Sequence, residues 1–340
     1  MFRDRIKNLI ADVLYHTGLS PWLVSRRFRG QMVVLMYHRI LPACDRGGTF
    51  SHDSIIVEPV TFDRHMAVLS RFFACLSLDE FAAALQGGGR SDKPACLLTF
   101  DDAWRDNYMH AFDILKKWEM PAVIFVPTDY IGTGRLFWQE RLGHIVDRIC
   151  ARFPDSAARL LEKYGWSHLA TVPEQLRRGA IKTAIRAIKH KGYSEIDAII
   201  DDLAGVLSGV EVDYGPDRYL SVDEMCEMMR HGITFQSHGC SHRVFPRLAR
   251  DELGVELKMS RSWLREQLAV DPIALAYPNG DHTPEIQQKT EQAGYRLAFT
   301  TIPGCVEAGA EPFTLRRINI SDHTAGTEAR LLMTLLLAGR

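Results

Sequence analysis

Ala95-Cys96-Leu97-Leu98-Thr99-Phe100-Asp101-Asp102 is an uncharged, mostly apolar run closed by two adjacent carboxylates. Such a run suits a strand buried on both faces, as in a parallel sheet covered by helices. Working outward, comparable runs recur at Met32–Tyr37, Ala122–Val126, Ile233–Gln236, Ile273–Ala276, Leu297–Thr300 and Leu315–Ile318, with helical patterns between most of them. This strand-then-helix alternation predicts an α/β fold built on a parallel sheet or barrel.

Helix starts are marked locally. Ser77-Leu78-Asp79-Glu80 and Ser221-Val222-Asp223-Glu224 have the Ser-x-x-Glu capping-box pattern, ahead of runs ending near Leu85 and Arg230. Pro121 and Pro272 each stand just before a strand and stop the preceding helix. Between Arg135 and Asp217 the rhythm turns helical and amphipathic, for example from Glu174 to Lys191. The predicted organisation is therefore an amphipathic helical segment at 1–30, a first barrel part at 31–134, a helical insertion at 135–218 and a second barrel part at 219–340.

Charges that end a buried strand must find water, a partner or a metal. Successive strand residues point to opposite faces, so Asp101 and Asp102 should differ in role unless the chain turns there, and one can ligate an ion while the other takes protons. Downstream, Ser237-His238-Gly239-Cys240-Ser241-His242 supplies two imidazoles four residues apart. Two His and one carboxylate leave coordination positions open, as a catalytic divalent ion requires. The ordinary alternative is that Asp101, Asp102 and Asp106 cap a helix expected from Asn107 to Trp118. Cys240 could be a softer ligand, although a small buried residue is the simpler assignment.

Thr99-Phe100-Asp101-Asp102, Ser237-His238 through His242, and Leu275-Ala276-Tyr277-Pro278-Asn279-Gly280 occur in the order of three motifs of the polysaccharide deacetylases, which the chain resembles. These are carbohydrate esterases of family four, sharing the NodB-homology domain. The resemblance implies a distorted (β/α)7-type barrel of parallel strands, here with the helical insertion. It also implies that Asp102, His238 and His242 hold a divalent metal and that Asp101 is the base. Zn2+ suits that donor set, with Co2+, Ni2+ or Fe2+ fitting the same geometry. Tyr277, Pro278, Asn279, Gly280 and Leu315 would line the substrate groove, and a backbone N–H near Tyr277 would steady the oxyanion. The implied substrate is an N-acetylated glycan of the cell envelope, an exopolysaccharide or a lipid-linked precursor, losing acetyl or formyl.

Two positions depart from the family pattern. Ala103 stands where Gly usually follows the Asp pair, and Leu315-Arg316-Arg317-Ile318-Asn319-Ile320 lies where the family often presents a Leu followed by a His that acts as general acid, a role Asn319 cannot fill. The acid must then come from His38, His323 or the water network at the metal. His38 is preferred, since it falls at the C-terminal end of the first strand, where barrel enzymes gather their chemistry. Asn319 keeps alive a second reading, a catalytically silent carbohydrate-binding protein, which the intact Asp101, Asp102, His238 and His242 oppose. Phosphoester hydrolysis ranks lowest, for want of a flanking Arg or Lys cluster. Phe137, Trp138 and Trp166 in the insertion could stack on sugars or serve as core.

The 41 Lys plus Arg balance 42 Asp plus Glu, so no basic field invites nucleic acid. Seven cysteines, odd in number and scattered, favour a reducing compartment. Asp12 and His16 interrupt the stretch after Arg3, Arg5 and Lys7, which argues against a secretory signal. A cytoplasmic protein is expected. Phe2, Ile6, Leu9, Ile10, Val13 and Leu14 recur at helical spacing, for packing on the barrel or for peripheral contact with the inner membrane and a lipid-linked glycan. Leu331 to Leu337 is too short to span a bilayer.

Overall fold

The computed structural model describes residues 20–88, 93–210 and 212–338. The proposed amphipathic positions from Phe2 to Leu14 lie outside them. The chain forms two compact units, one running up to Pro42, from Asp53 to Thr133 and from Tyr219 onward, the other comprising Ala43–His52 and Gly134–Arg218. Residues 43–52 thus pack with the helical insertion rather than with the first barrel part, to which the sequence assigns them.

In the first unit, β1 (Gln31–Tyr37), β2 (Ala95–Phe100), β3 (Ala122–Val126), β4 (Ile233–Ser237), β5 (Ala274–Ala276) and β6 (Leu297–Phe299) lie side by side in chain order. Every pairing among them is parallel. The strands are almost wholly buried, which explains their unbroken apolar runs: both faces are covered, so no polar alternation survives.

The sheet curls. Leu315 bridges in parallel to Phe299 on β6, and β7 (Ile318–Asn319) pairs in parallel with β1, Met36 opposite Asn319. One short segment thereby links the last of these six strands to the first. The sequence predicts a strand at Leu315–Ile318; instead the segment kinks between its two partners, and the ladder is confined to Ile318–Asn319. Helices α1 (Pro59–Phe72), α2 (Leu78–Leu85), α3 (Phe112–Lys117), α4 (Val222–Met229), α5 (Arg250–Leu268) and α6 (Pro284–Gln292) alternate with the strands. Both expected capping boxes form: the Ser77 and Ser221 hydroxyls accept from the N–H groups of Glu80 and Glu224, whose carboxylates reach back.

The second unit has its own core, in which Leu142, Ile145, Ile149, Ile181, Ile200 and Leu203 pack with Phe50 and Trp166. Phe50 lies so close to Gly143 that a Cβ there would fall 2.3 Å from its ring. Trp166 and Phe137 are buried and Trp138 packs against that core, so these aromatics are committed to packing rather than held out as sugar platforms. Among the described residues no helix is long and apolar enough to cross a membrane.

Candidate active site

Strand β2 delivers both carboxylates. The Asp101 N–H still bonds to the Tyr37 carbonyl at 3.0 Å, and then the chain leaves the sheet through two left-handed residues, Asp102 (φ 75°) and Ala103 (φ 53°). That conformation costs an L-residue roughly 1 kcal/mol. The turn is held from outside, since the Ala103 carbonyl accepts the Leu220 N–H at 2.9 Å and Trp104 pairs with Tyr219. Of the three expected capping residues, Asp106 alone stands at a helix N-cap, and its side chain makes no capping bond. Asn107–Ala111 is a π-helical turn leading into α3, and buried Asp106 accepts Arg39 Nε at 2.8 Å and the Ile40 N–H at 2.9 Å.

Asp102 Oδ1 lies 3.1 Å from His242 Nε2 and 3.6 Å from His238 Nε2, and one ligand atom from each of these residues falls within 4.8 Å of the others. Oδ1 is buried with no hydrogen-bond partner among the described residues, whereas Oδ2 accepts the Trp104 indole N–H at 3.1 Å. The partner of His238 Nδ1 is the Ala276 carbonyl at 2.8 Å, so Nδ1 must donate, and Nε2 of the neutral ring turns its lone pair toward Asp102. Burial pushes His238 down to about 4. Burial works to raise the Asp102 carboxyl, but His242, His38 and His238 outweigh it and hold it well below the usual range. A carboxylate oxygen facing an imidazole lone pair calls for a positive charge between them. The donor set therefore fits a divalent cation.

The loop that spaces the two imidazoles is anchored by Glu256 on α5. Its carboxylate accepts the N–H of Cys240 at 2.5 Å, the N–H of Ser241 at 3.0 Å and the Ser241 hydroxyl. Gly239 has φ 74°, and a Cβ there would come 2.8 Å from Glu256 Oε2. Cys240 Sγ points to the Glu256 carbonyl at 3.4 Å, and burial pushes the thiol up to about 12. It is a packed small residue.

Asp101 is gripped by Arg317, whose two Nη atoms each stand 2.7 Å from a different carboxylate oxygen. The same guanidinium donates to the Thr300 carbonyl and to Thr99 Oγ1, and it is fully buried. Burial works to raise the Asp101 carboxyl, but Arg317 and His238 prevail and lower it. His38 Nε2 stands 3.9 Å from Asp101 Oδ2, and its Nδ1 is buried without a hydrogen-bond partner among the described residues.

The C-terminal ends of the parallel strands thus carry buried Asp102 and His238 and half-buried His242 beside a clamped carboxylate. The family model described as "Polysaccharide deacetylase" matches residues 88–197 and 204–298. The chain belongs to the polysaccharide deacetylase family. YxkH of Bacillus subtilis (strain 168) is 22% identical over 309 residues, covering 91% of this chain and 77% of its own. The fold is shared with the Streptococcus pyogenes deacetylase PplD, solved in complex with acetate, at TM-score 0.59, with 22% identity over 90% of this chain and 98% of PplD. IcaB from Ammonifex degensii gives TM-score 0.57, with 17% identity over 89% of this chain and 97% of IcaB.

The other expected site residues divide between the core and the surface. Tyr277 is fully buried; its hydroxyl donates to the Phe313 carbonyl at 3.2 Å and its N–H to Phe299 at 3.0 Å. It is thus core, because β5 continues its ladder through this residue. Leu315 is core too, bonded through its backbone to Ala298 and Thr300. Pro278, Asn279 and Gly280 form a tight turn at the end of β5, with Asn279 exposed at φ 62°. Asn319 donates to the Ser54 carbonyl at 3.0 Å, and its strand lies beyond the matched residues. His323 is exposed. Arg317, Trp104 and Glu256 go unassigned in the sequence reading, although each touches a carboxylate or the histidine loop.

Proposed function

We propose that this deacetylase is metal-dependent and removes N-acetyl, and by the same chemistry N-formyl, groups from amino sugars of a cell-envelope or exopolysaccharide glycan or its lipid-linked precursor. One observation carries the proposal: Asp102 Oδ1, buried and in hydrogen-bond geometry with no donor among the described residues, lies 3.1 Å and 3.6 Å from the Nε2 atoms of His242 and His238. Asp102, His238 and His242 would hold the ion, Zn2+ by preference. A divalent cation there supplies Lewis acidity, making a water more acidic and the acetyl carbonyl more electrophilic.

The chain's own groups do the rest. Asp101, kept ionised by Arg317, accepts the proton of the attacking water. The water oxygen bonds to the acetyl carbon, the C–N bond breaks, and His38 Nε2 gives a proton to the departing nitrogen. Acetate and a free sugar amine result; the PplD structure holds acetate, the product expected here. For the oxyanion, the Tyr277 N–H is engaged with Phe299, Pro278 has none, and the Gly280 N–H returns to Tyr277 at 2.7 Å. Our choice of donor is therefore the Asn279 N–H.

Acetate release from N-acetylglucosamine oligomers should disappear with a chelator and return with Zn2+. Metal-loaded protein that releases no acid from a broad panel of acylated oligosaccharides would instead support the silent carbohydrate-binding protein. His38→Ala should cut turnover by about 10²-fold or more; full turnover with an unchanged pH profile would remove His38 as the acid. The Arg near the motifs does not revive phosphoester chemistry, because Arg317 is occupied by Asp101.

A further inference from the structure

We propose that Trp104 is a positioning residue that ties down one oxygen of Asp102, so that the carboxylate meets a cation through its other oxygen alone. The proposal rests on reading Asp102, His238 and His242 as metal ligands. Its basis is the asymmetry of the carboxylate: Oδ2 accepts the Trp104 Nε1–H at 3.1 Å, while Oδ1 faces the imidazoles and has no hydrogen-bond partner among the described residues. A carboxylate with both oxygens free can chelate an ion and fill a position that water or substrate needs. An indole N–H on one oxygen opposes that.

The indole is itself immobilised. Trp104 is fully buried, stacks on the Tyr219 ring with centroids 4.8 Å apart and planes at 22°, and lies under the Arg39 guanidinium, 4.2 Å from its centroid. Arg39 is in turn held at 2.8 Å by Asp106, with both groups buried. This chain of contacts fixes the N–H where the left-handed backbone at Asp102 presents the carboxylate. No hydrogen bond of Trp104 to substrate is needed for its effect.

The test is Trp104→Phe, which keeps a buried ring and removes the N–H. Zn2+ affinity, read by competition with a chromophoric chelator, should fall between about ten- and a hundredfold. The visible absorption of the Co2+-loaded protein should weaken as the freed oxygen raises the coordination number. Trp118→Phe removes a comparable indole–carboxylate bond, Trp118 Nε1 to Asp63 Oδ1 at 2.7 Å, and should change neither readout. If Trp104→Phe fails to melt cooperatively, the unmutated protein serves: its Trp104 indole N–H resonance should move on Zn2+ titration. Unchanged affinity and Co2+ spectrum in a folded Trp104→Phe, or an indole resonance indifferent to bound Zn2+, overturns the proposal. Unmutated protein that binds neither Zn2+ nor Co2+ overturns the ligand assignment instead.

Discussion

Arg317 divides its donors among Asp101, Thr99 and the Thr300 carbonyl, and because the guanidinium is fully buried each bond supports the others. A buried ion pair adds little net stability, but removing one partner strands the other charge at a cost of about 3–5 kcal/mol. Arg317→Met should lower stability by that order. It should also move the acid side of the pH–rate curve to higher pH, because burial then raises the Asp101 carboxyl without the guanidinium to oppose it. Arg317→Lys keeps the charge but loses the two-point grip and should fall between. Melting curves and pH–rate profiles of the three proteins decide this; an unmoved acid limb in Arg317→Met would show that Asp101 does not set it. Ala103, left-handed at φ 53°, makes the opposite prediction. Ala103→Gly relieves the backbone while enlarging unfolded-state freedom, so stability should rise by no more than ~1 kcal/mol, and a lowered melting temperature would show that the Ala103 methyl contributes packing.

At the scale of elements, the loop between β4 and α5 depends on a helix side chain distant in sequence. Glu256→Ala leaves the Cys240 and Ser241 amides without their acceptor, so His242 should wander and Zn2+ affinity should drop about tenfold. Glu256→Gln, which still accepts, should recover part of it; chelator competition on both variants checks this, and equal affinities throughout would free the loop from Glu256. The same distance explains what was legible in the sequence. β2 and β3 coincide with the predicted Ala95–Phe100 and Ala122–Val126, because two-sided burial writes itself as an uncharged run. The closing segment does not, since its inward position is filled by Arg317, a residue that looks solvent-facing until its carboxylate, 216 positions earlier, is known. Glu256 is hidden likewise, the amides it holds lying 15 and 16 positions earlier, whereas Trp104 stands two positions from Asp102 and is hidden because the left-handed turn that aims its indole at that carboxylate is not written in the residue types. Tyr277 misleads differently: its motif marks the turn that follows, and the ring itself belongs to the core.

For the whole molecule, acid stability should depend on His65, which joins α1 to the C-terminal region and to the first strand. Its Nε2 donates to the Ala325 carbonyl at 2.6 Å, and its Nδ1 accepts the Tyr37 hydroxyl at 3.2 Å, next to His38. Both ring nitrogens are spoken for in the neutral form, and burial pushes His65 down to about 4 from 6.5. The unfolded chain therefore binds the proton first as pH falls. The neutral ring's contribution is complete above about pH 6.5, is lost progressively toward pH 4, and changes no further below that, amounting to about 3 kcal/mol. His238 adds a loss of the same sign in metal-free protein, so the test is a difference. His65→Leu should be less stable at pH 7, having lost both bonds, yet its stability in urea should decline by about 3 kcal/mol less than that of the unmutated protein between pH 7 and pH 4. Parallel declines in the two proteins would mean that His65 takes up its proton without unfolding its surroundings, and that the acid sensitivity of the barrel lies elsewhere.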